Sequence, residues 1–206
     1  MAGPKKPFWE ESYKRNGKLD TFGSGKPSKS LVSAVAMIKL PAKALDLGCG
    51  EGRNALYLAG LGFETSASDI SESGIAKLKI VAKELQLNID ATVCDMRQYE
   101  FRKTFDLIVC TGCLHLIHRQ EWQQVIKNMK QATPSGGINV IGVFTDEAPE
   151  PEDQRGLMVG LFKEGELFTY YRDWEIIDKK TYIFEHTHPD GPTHKHAGND
   201  IIARKP

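Results

Sequence analysis

Three glycines at alternate positions, Gly48, Gly50 and Gly52, lie between a short apolar run (Ala44-Leu45-Asp46-Leu47) and a helical pattern that begins near Ala55. Glycine is required where the backbone must turn sharply and approach a ligand with no Cβ in the way. A dinucleotide loop would read G-x-G-x-x-G, but here the third glycine comes one residue early and Arg53 stands in its place. A P-loop is excluded because no G-x-x-x-x-G-K-[ST] is present. Alone, the triplet fits a tight turn as well as a ligand loop. Two aspartates narrow the choice. Asp69 ends the next apolar run, about 20 residues on, where a carboxylate can accept from both hydroxyls of an unphosphorylated ribose. Asp95 ends the run after that, in Val93-Cys94-Asp95-Met96, where it can accept from an exocyclic adenine amine beside the apolar Met96. Each aspartate taken singly fits a helix cap equally well; together with the loop they outline a ribose- and adenine-bearing ligand.

Cys110 and Cys113 have the C-x-x-C spacing of a redox pair or half a zinc site. They end a strand pattern rather than open a helix, and no second C-x-x-C exists, so strand-end packing is the expected role. His115 follows them, beyond the same strand.

The elements that must hold these residues alternate. Apolar runs at 44–47, 63–68, 89–94, 105–110 and 138–144 are separated by amphipathic segments. Ser71 is placed to cap a helix with Ile75, Leu78, Ala82 and Leu85 on one face, and Trp122, Val125, Ile126 and Met129 form a second stripe. Pro27-Ser28-Lys29-Ser30 offers an N-terminal cap to an earlier helix carrying Leu31, Val32, Val35, Ala36 and Ile38. Strands alternating with helices predict parallel pairing, because a parallel connection needs a crossover. Ligands on such sheets bind beyond the carboxyl ends of the strands, where all of the residues above are expected. After residue 145 an acidic, proline-bearing loop gives way to extended runs near 175–186 and 197–204, with Pro189-Asp190-Gly191-Pro192 between them, which reads as a terminal β-hairpin.

At 206 residues the chain has the size of one domain, residues 27–206, preceded by an arm or lid at 1–26 that Phe22-Gly23-Ser24-Gly25 makes flexible and Phe8, Trp9, Tyr13 and Phe22 anchor. Lys+Arg and Asp+Glu are both 27, which removes the simplest case for nucleic-acid binding. No apolar stretch nears the ~18 residues of a membrane span, and the N-terminus lacks the apolar core of a secretory signal. Four cysteines make no disulfide scaffold, so a cytoplasmic protein with reduced thiols is expected.

Leu45-Asp46-Leu47-Gly48-Cys49-Gly50-Glu51-Gly52, Asp69, Asp95 and the turn Pro134-Ser135-Gly136-Gly137 together resemble the class I S-adenosylmethionine-dependent methyltransferases. Gly52-Arg53-Asn54 with Leu56-Tyr57-Leu58-Ala59, the stretch Phe162-Lys163-Glu164-Gly165-Glu166-Leu167 with Tyr170-Tyr171 and Trp174-Glu175, and the ending Ala203-Arg204-Lys205 are similar to the TehB-type tellurite-resistance branch. The resemblance covers about residues 20–206. It implies an α/β, Rossmann-like fold: a seven-stranded, mostly parallel sheet with helices on both faces and a C-terminal antiparallel hairpin. It implies S-adenosylmethionine as cofactor, held by Asp46, Gly48, Cys49, Gly50, Arg53, Asp69, Ile70, Asp95, Met96 and Cys110. The acceptor it implies is a small molecule, a tellurium or selenium oxyanion, gripped by His186, His188 and Arg172, with Lys195 and His115 nearby. Neither a nucleic acid nor a membrane is an expected partner. A non-catalytic module sensing S-adenosylmethionine or a metal on the same fold is the alternative. Residues 162–171 also read simply as a helix start with Leu167, Tyr170 and Tyr171 in the core.

The hairpin carries H-x-H on each arm, His186 and His188, then His194 and His196. Residues two apart on a strand share a face. Pairing His186 with His196 and His188 with His194 would put all four imidazoles on one face, whereas a one-residue slip would split them. A shared face suits a divalent transition metal, a protonated grip on an oxyanion, or plain solvation.

Overall fold

The computed structural model describes residues 8–15, 19, 21, 25–150, 155–187 and 193–206. The expected hairpin turn at 189–192, His188, and most of the glycine-bearing leader at 22–24 lie outside the described residues. The chain divides into two compact units, residues 1–100 and 101–206.

The first unit runs α1 (Phe8–Tyr13), α2 (Lys29–Val35), β1 (Lys43–Leu47), α3 (Arg53–Gly60), β2 (Glu64–Asp69), α4 (Glu72–Glu84) and β3 (Ile89–Val93). β1 pairs in parallel with β2, and β2 with β3, the helices α3 and α4 supplying the crossovers. Ser71 caps α4 as its sequence suggests, its Oγ accepting from the Gly74 N–H at 2.9 Å. Ile75, Leu78 and Ala82 then pack on Ala55, Leu56, Ala67 and Ala91. Leu85, read as part of that stripe, is instead the C-cap of α4 and 58% exposed. Ser28 takes the N-cap position of α2, but its side chain makes no capping bond, and the helix stops at Val35, short of Ile38. β2 departs from the apolar expectation: Thr65, Ser66 and Ser68 are all buried. Their small side chains are partly satisfied locally, Thr65 Oγ1 donating to the Phe63 carbonyl at 3.1 Å.

The second unit runs β4 (Leu107–Thr111), a single 3-10 turn (Leu114–Leu116), α5 (Arg119–Ala132), β5 (Ile138–Thr145), α6 (Glu166–Thr169), β6 (Glu175–Thr187) and β7 (Thr193–Arg204). β4 and β5 are parallel; β7 is antiparallel to both β5 and β6. Trp122 of α5 is fully buried, stacked on Phe162 at 3.9 Å, and donates its indole N–H to the Gly160 carbonyl at 3.0 Å. A buried polar set is paired within the unit: Asn139 Nδ2 donates to Tyr171 Oη at 2.9 Å, and Thr133 Oγ1 lies 2.9 Å from Asn139 Oδ1. Lys205 ends the unit by donating to the Lys130 and Thr133 carbonyls, which α5 leaves open at its C-terminus. Of the three residues expected in the core of 162–171, Leu167 and Tyr171 are buried, whereas Tyr170 is only half-buried.

The strand order is β3-β2-β1 in the first unit and β4-β5-β7-β6 in the second, where β7 is the one reversed strand. No helix among the described residues is long and apolar enough to cross a membrane.

Candidate active site

In the first unit the turn from β1 into α3 is built almost wholly of backbone. Gly48, Gly50 and Gly52 have φ of 75°, 56° and 92°, the left-handed region that a side chain disfavours. The N–H groups of Gly48 and Cys49 both donate to the Ser68 carbonyl, at 2.7 and 3.0 Å, which pins the turn to the end of β2. Gly50 N–H donates to Asp69 Oδ2 at 2.7 Å, and Ser71 N–H donates to Asp69 Oδ1 at 2.8 Å. The predicted ribose carboxylate is thus aimed at the glycine loop by two backbone donors. Burial raises the pKa of Asp69, and those two donors work against the rise.

Asp46 serves a different purpose. Gly52 is the N-cap of α3 and has no side chain to offer, so the helix would begin with its N–H groups unmet. Asp46, buried on β1, supplies the missing acceptor: Ala55 N–H donates to its Oδ2 at 3.0 Å. Burial pushes its carboxyl from 3.8 up to about 7, with Arg53 and the Ala55 N–H opposing. Between those two values the folded chain keeps a proton that the unfolded chain has released, so stability falls as pH rises through that window. We expect Asp46→Asn, whose amide oxygen can still accept from Ala55, to flatten this slope. Thermal midpoints from pH 4 to pH 8, without cofactor, measure it; a wild-type midpoint that climbs relative to the variant over that range contradicts the assignment.

The remaining cofactor candidates of this unit are placed as follows. Cys49 is buried, and burial with Asp46 and Asp69 nearby raises its pKa, keeping it a thiol. Arg53 Nη1 donates to the Lys26 carbonyl at 3.0 Å. Ile70, beside Asp69, is 57% exposed, a large apolar side chain left for something to cover. Asp95 is held by Arg97, whose Nε lies 2.9 Å from both carboxylate oxygens, and this guanidinium lowers its pKa. Met96 follows, half-buried.

Four residues that the sequence reading did not assign to the site complete it. Tyr13 of α1 is buried against the loop, so that a Cβ on Gly50 would lie 2.5 Å from its hydroxyl. Glu10 of the same helix accepts from the hydroxyls of Ser71 and Ser73, the latter at 2.6 Å. Glu51, inside the glycine motif, accepts from the Thr21 N–H at 2.9 Å and pairs with Lys77 of α4 at 2.6 Å. Tyr13 was visible as an aromatic anchor, but nothing in the spacing of Glu10, Glu51 or Lys77 announces these partners. The resulting cradle of backbone, one aromatic ring and one aimed carboxylate leaves no room for a side chain at Gly50, and it fits a nucleoside cofactor.

In the second unit Cys110 is fully buried near the end of β4, its Sγ 3.4 Å from that of Cys113, and no disulfide joins them. Among the described residues no three His, Cys, Asp or Glu side chains gather as metal ligands. The hairpin register differs from the expected one. His186 pairs with His194, and Phe184 pairs with His196, a two-residue displacement that keeps the His positions on one face. His194 and His196 are buried, their ring centroids 5.8 Å apart, which removes the solvated reading for this arm. Lys195 points the other way and is exposed. Arg172 requires correction. It is exposed just before β6 begins, whereas His186 lies near the other end, about eleven strand residues or ~36 Å away. One acceptor cannot be gripped by both.

The family model described as tellurite resistance protein TehB matches residues 18–197. The chain is 38% identical over 145 residues to a probable S-adenosyl-L-methionine-dependent methyltransferase TehB of Haemophilus influenzae, covering 69% of this chain and 49% of that protein. It is 34% identical over 165 residues to hemagglutinin 1 of Eikenella corrodens, covering 80% and 52%. The crystal structure of TehB from Haemophilus influenzae superposes with a TM-score of 0.78 at 34% identity, covering 87% of this chain and 62% of that one. The chain therefore spans about half the length of the curated relatives it matches.

Proposed function

The chain belongs to the TehB tellurite resistance family, and from that premise we propose that it transfers a methyl group from S-adenosylmethionine to a small-molecule acceptor in the cytoplasm. The observation that carries this reading is the loop from β1 to α3, with Asp69 bonded to the Gly50 N–H and Tyr13 closing over Gly50. In this reading Gly48 and Gly50 admit the cofactor to the backbone and Asp69 accepts from its ribose. Ile70, Asp95 and Met96 line the adenine, while Asp46 and Arg53 hold the loop and the start of α3. Cys49 completes the lining. The first 26 residues act as a lid over the core at 27–206, a role supported by the bonds of Glu10 and Thr21 to α4's first turn and to the glycine loop.

S-adenosylmethionine supplies an electrophilic methyl group, which an in-line nucleophile can take up. The protein's task is then alignment more than acid–base chemistry. The finer proposal is a tellurium or selenium oxyanion as acceptor, whose central lone pair needs no base, held by His186 and His188 without Arg172. Appearance of S-adenosylhomocysteine when tellurite, selenite, a thiol and an amine are offered in turn tests the reaction; no product with any of them would leave a binding module.

Cofactor affinity gives a second check. Asp69→Ala should weaken S-adenosylmethionine binding by about 1–3 kcal/mol, the range for losing hydrogen bonds to a charged acceptor. The fold should survive, because Asp69 bonds the loop and the start of α4 rather than a strand partner. Calorimetric titration reads the difference, and an unchanged affinity in a folded variant would remove Asp69 from the ribose.

A further inference from the structure

His115 lies in the 3-10 turn after β4 and is 2% exposed. Its Nδ1 accepts a hydrogen bond from the Phe144 backbone N–H at 3.2 Å. A neutral imidazole carries one proton, so with Nδ1 accepting, the proton must sit on Nε2. The ring is fixed in its plane by stacking on Phe144, centroids 4.3 Å apart and 20° from parallel, and Phe144 stacks in turn with His196 at 4.7 Å. The turn itself is tied down by Gly160, whose N–H donates to the His115 carbonyl at 3.0 Å. Among the described residues Nε2–H donates to nothing. With one allowed tautomer and a locked ring plane Nε2–H is a preset donor, and it does not fall among the described side-chain atoms that are sealed from solvent without a partner, so it is open to an incoming oxygen.

His115 follows the carboxyl end of β4, and Phe144 sits at the carboxyl end of its parallel neighbour β5, the edge at which ligands meet open α/β sheets. We propose that His115 is an acceptor-binding residue, its Nε2–H donating to an oxygen of the methyl acceptor. The proposal rests on the methyl-transfer reading and narrows the acceptor's chemistry. His115 cannot serve as a base, because one nitrogen is engaged by the backbone and the other already carries the proton. The acceptor must therefore bring both an oxygen to be bound and a nucleophilic atom that this residue need not deprotonate, as an oxyanion with a central lone pair does.

The contribution of His115 is also independent of pH near neutrality. Burial, with the charge of His196 adding to it, pushes its pKa down to about 3. Of the elements packed on the turn, β5 carries no titratable side chain. On α5, Arg119 pairs with Glu166, and Glu121 accepts from the His118 N–H.

The test uses the acceptor that the wild-type chain methylates among selenite, tellurite, dithiothreitol and a primary amine. His115→Phe keeps a stacking ring but leaves the Phe144 N–H unmet. His115→Asn keeps an oxygen near the Nδ1 position but does not reach that of Nε2. His115→Gln can place an amide N–H near Nε2. With selenite or tellurite, KM for the acceptor should rise ~10–100-fold in the Phe and Asn variants, as for a hydrogen bond to a charged partner. It should recover to within about threefold in Gln, with affinity for S-adenosylmethionine and thermal midpoint little changed in Asn. The ratio of variant to wild-type KM should stay level from pH 5.5 to pH 8. An unchanged KM in a folded Asn variant, or a ratio that moves through a midpoint near 6.5, overturns the assignment. Turnover of the thiol or amine alone overturns it while methyl transfer stands. No turnover of any acceptor overturns the methyl-transfer reading itself, and this one with it.

Discussion

Replacing Gly50 by valine should abolish S-adenosylmethionine binding while leaving the protein folded. Two costs add at this position. The backbone sits at φ 56°, where a β-branched side chain is strained by ~1–2 kcal/mol or more. A Cβ would also lie 2.5 Å from Tyr13 Oη and 3.2 Å from Tyr13 Cζ, so the ring must leave or the loop must move. Moving the loop breaks the Gly50 N–H bond to Asp69, the contact that aims the carboxylate. A combined loss above ~3 kcal/mol corresponds to more than a hundredfold in affinity. Gly50→Ala should fall between, since alanine tolerates positive φ less badly than valine. The measurement is calorimetric titration beside circular dichroism. A folded valine variant that binds with wild-type affinity would reduce the loop to a turn.

The parts of this molecule that were legible in its sequence are those written in local spacing. The glycine triplet, Ser71 before an i, i+3, i+7 stripe, and Trp122-Val125-Ile126-Met129 each specify an element through residues a few positions apart, and each element forms where expected. What escaped depends on pairing at a distance. Glu10 meets Ser73 across 63 positions and Glu51 meets Lys77 across 26, and no periodicity ties such residues together. Arg172 misled for a related reason. It stands near the histidines in number, yet the run that separates them is fully extended in β6, so proximity in sequence became distance in space. The hairpin register escaped because two pairings two residues apart keep the same faces, so the alternation of residue types does not choose between them. Asp46 was expected among the cofactor residues, and the structure gives a reason for a carboxylate there that the motif does not state: a helix whose N-cap is glycine needs its acceptor from elsewhere.

Glu51→Ala should destabilise the chain by about 3–5 kcal/mol, the usual result of removing one member of a buried ion pair. Glu51 and Lys77 side chains are only 4% and 9% exposed, and Lys77 stands between Ile75 and Leu78 on a helix whose neighbours are core. The substitution strands an ammonium in a largely buried position, and Thr21 loses the acceptor for both its N–H and its hydroxyl. Urea unfolding of the single variant tests this, and a loss below about 1 kcal/mol would mean that water reaches Lys77. The double variant Glu51→Gln with Lys77→Met separates stability from positioning. A buried pair replaced by apolar or neutral isosteres is often no less stable than the original, because neither charge then has to be desolvated. Glutamine retains an oxygen for the Thr21 N–H. If the double variant regains wild-type stability and cofactor affinity together, the pair is only one solution to filling that space. Recovered stability with weakened S-adenosylmethionine binding would instead assign the charges the task of holding residue 21 against the glycine loop.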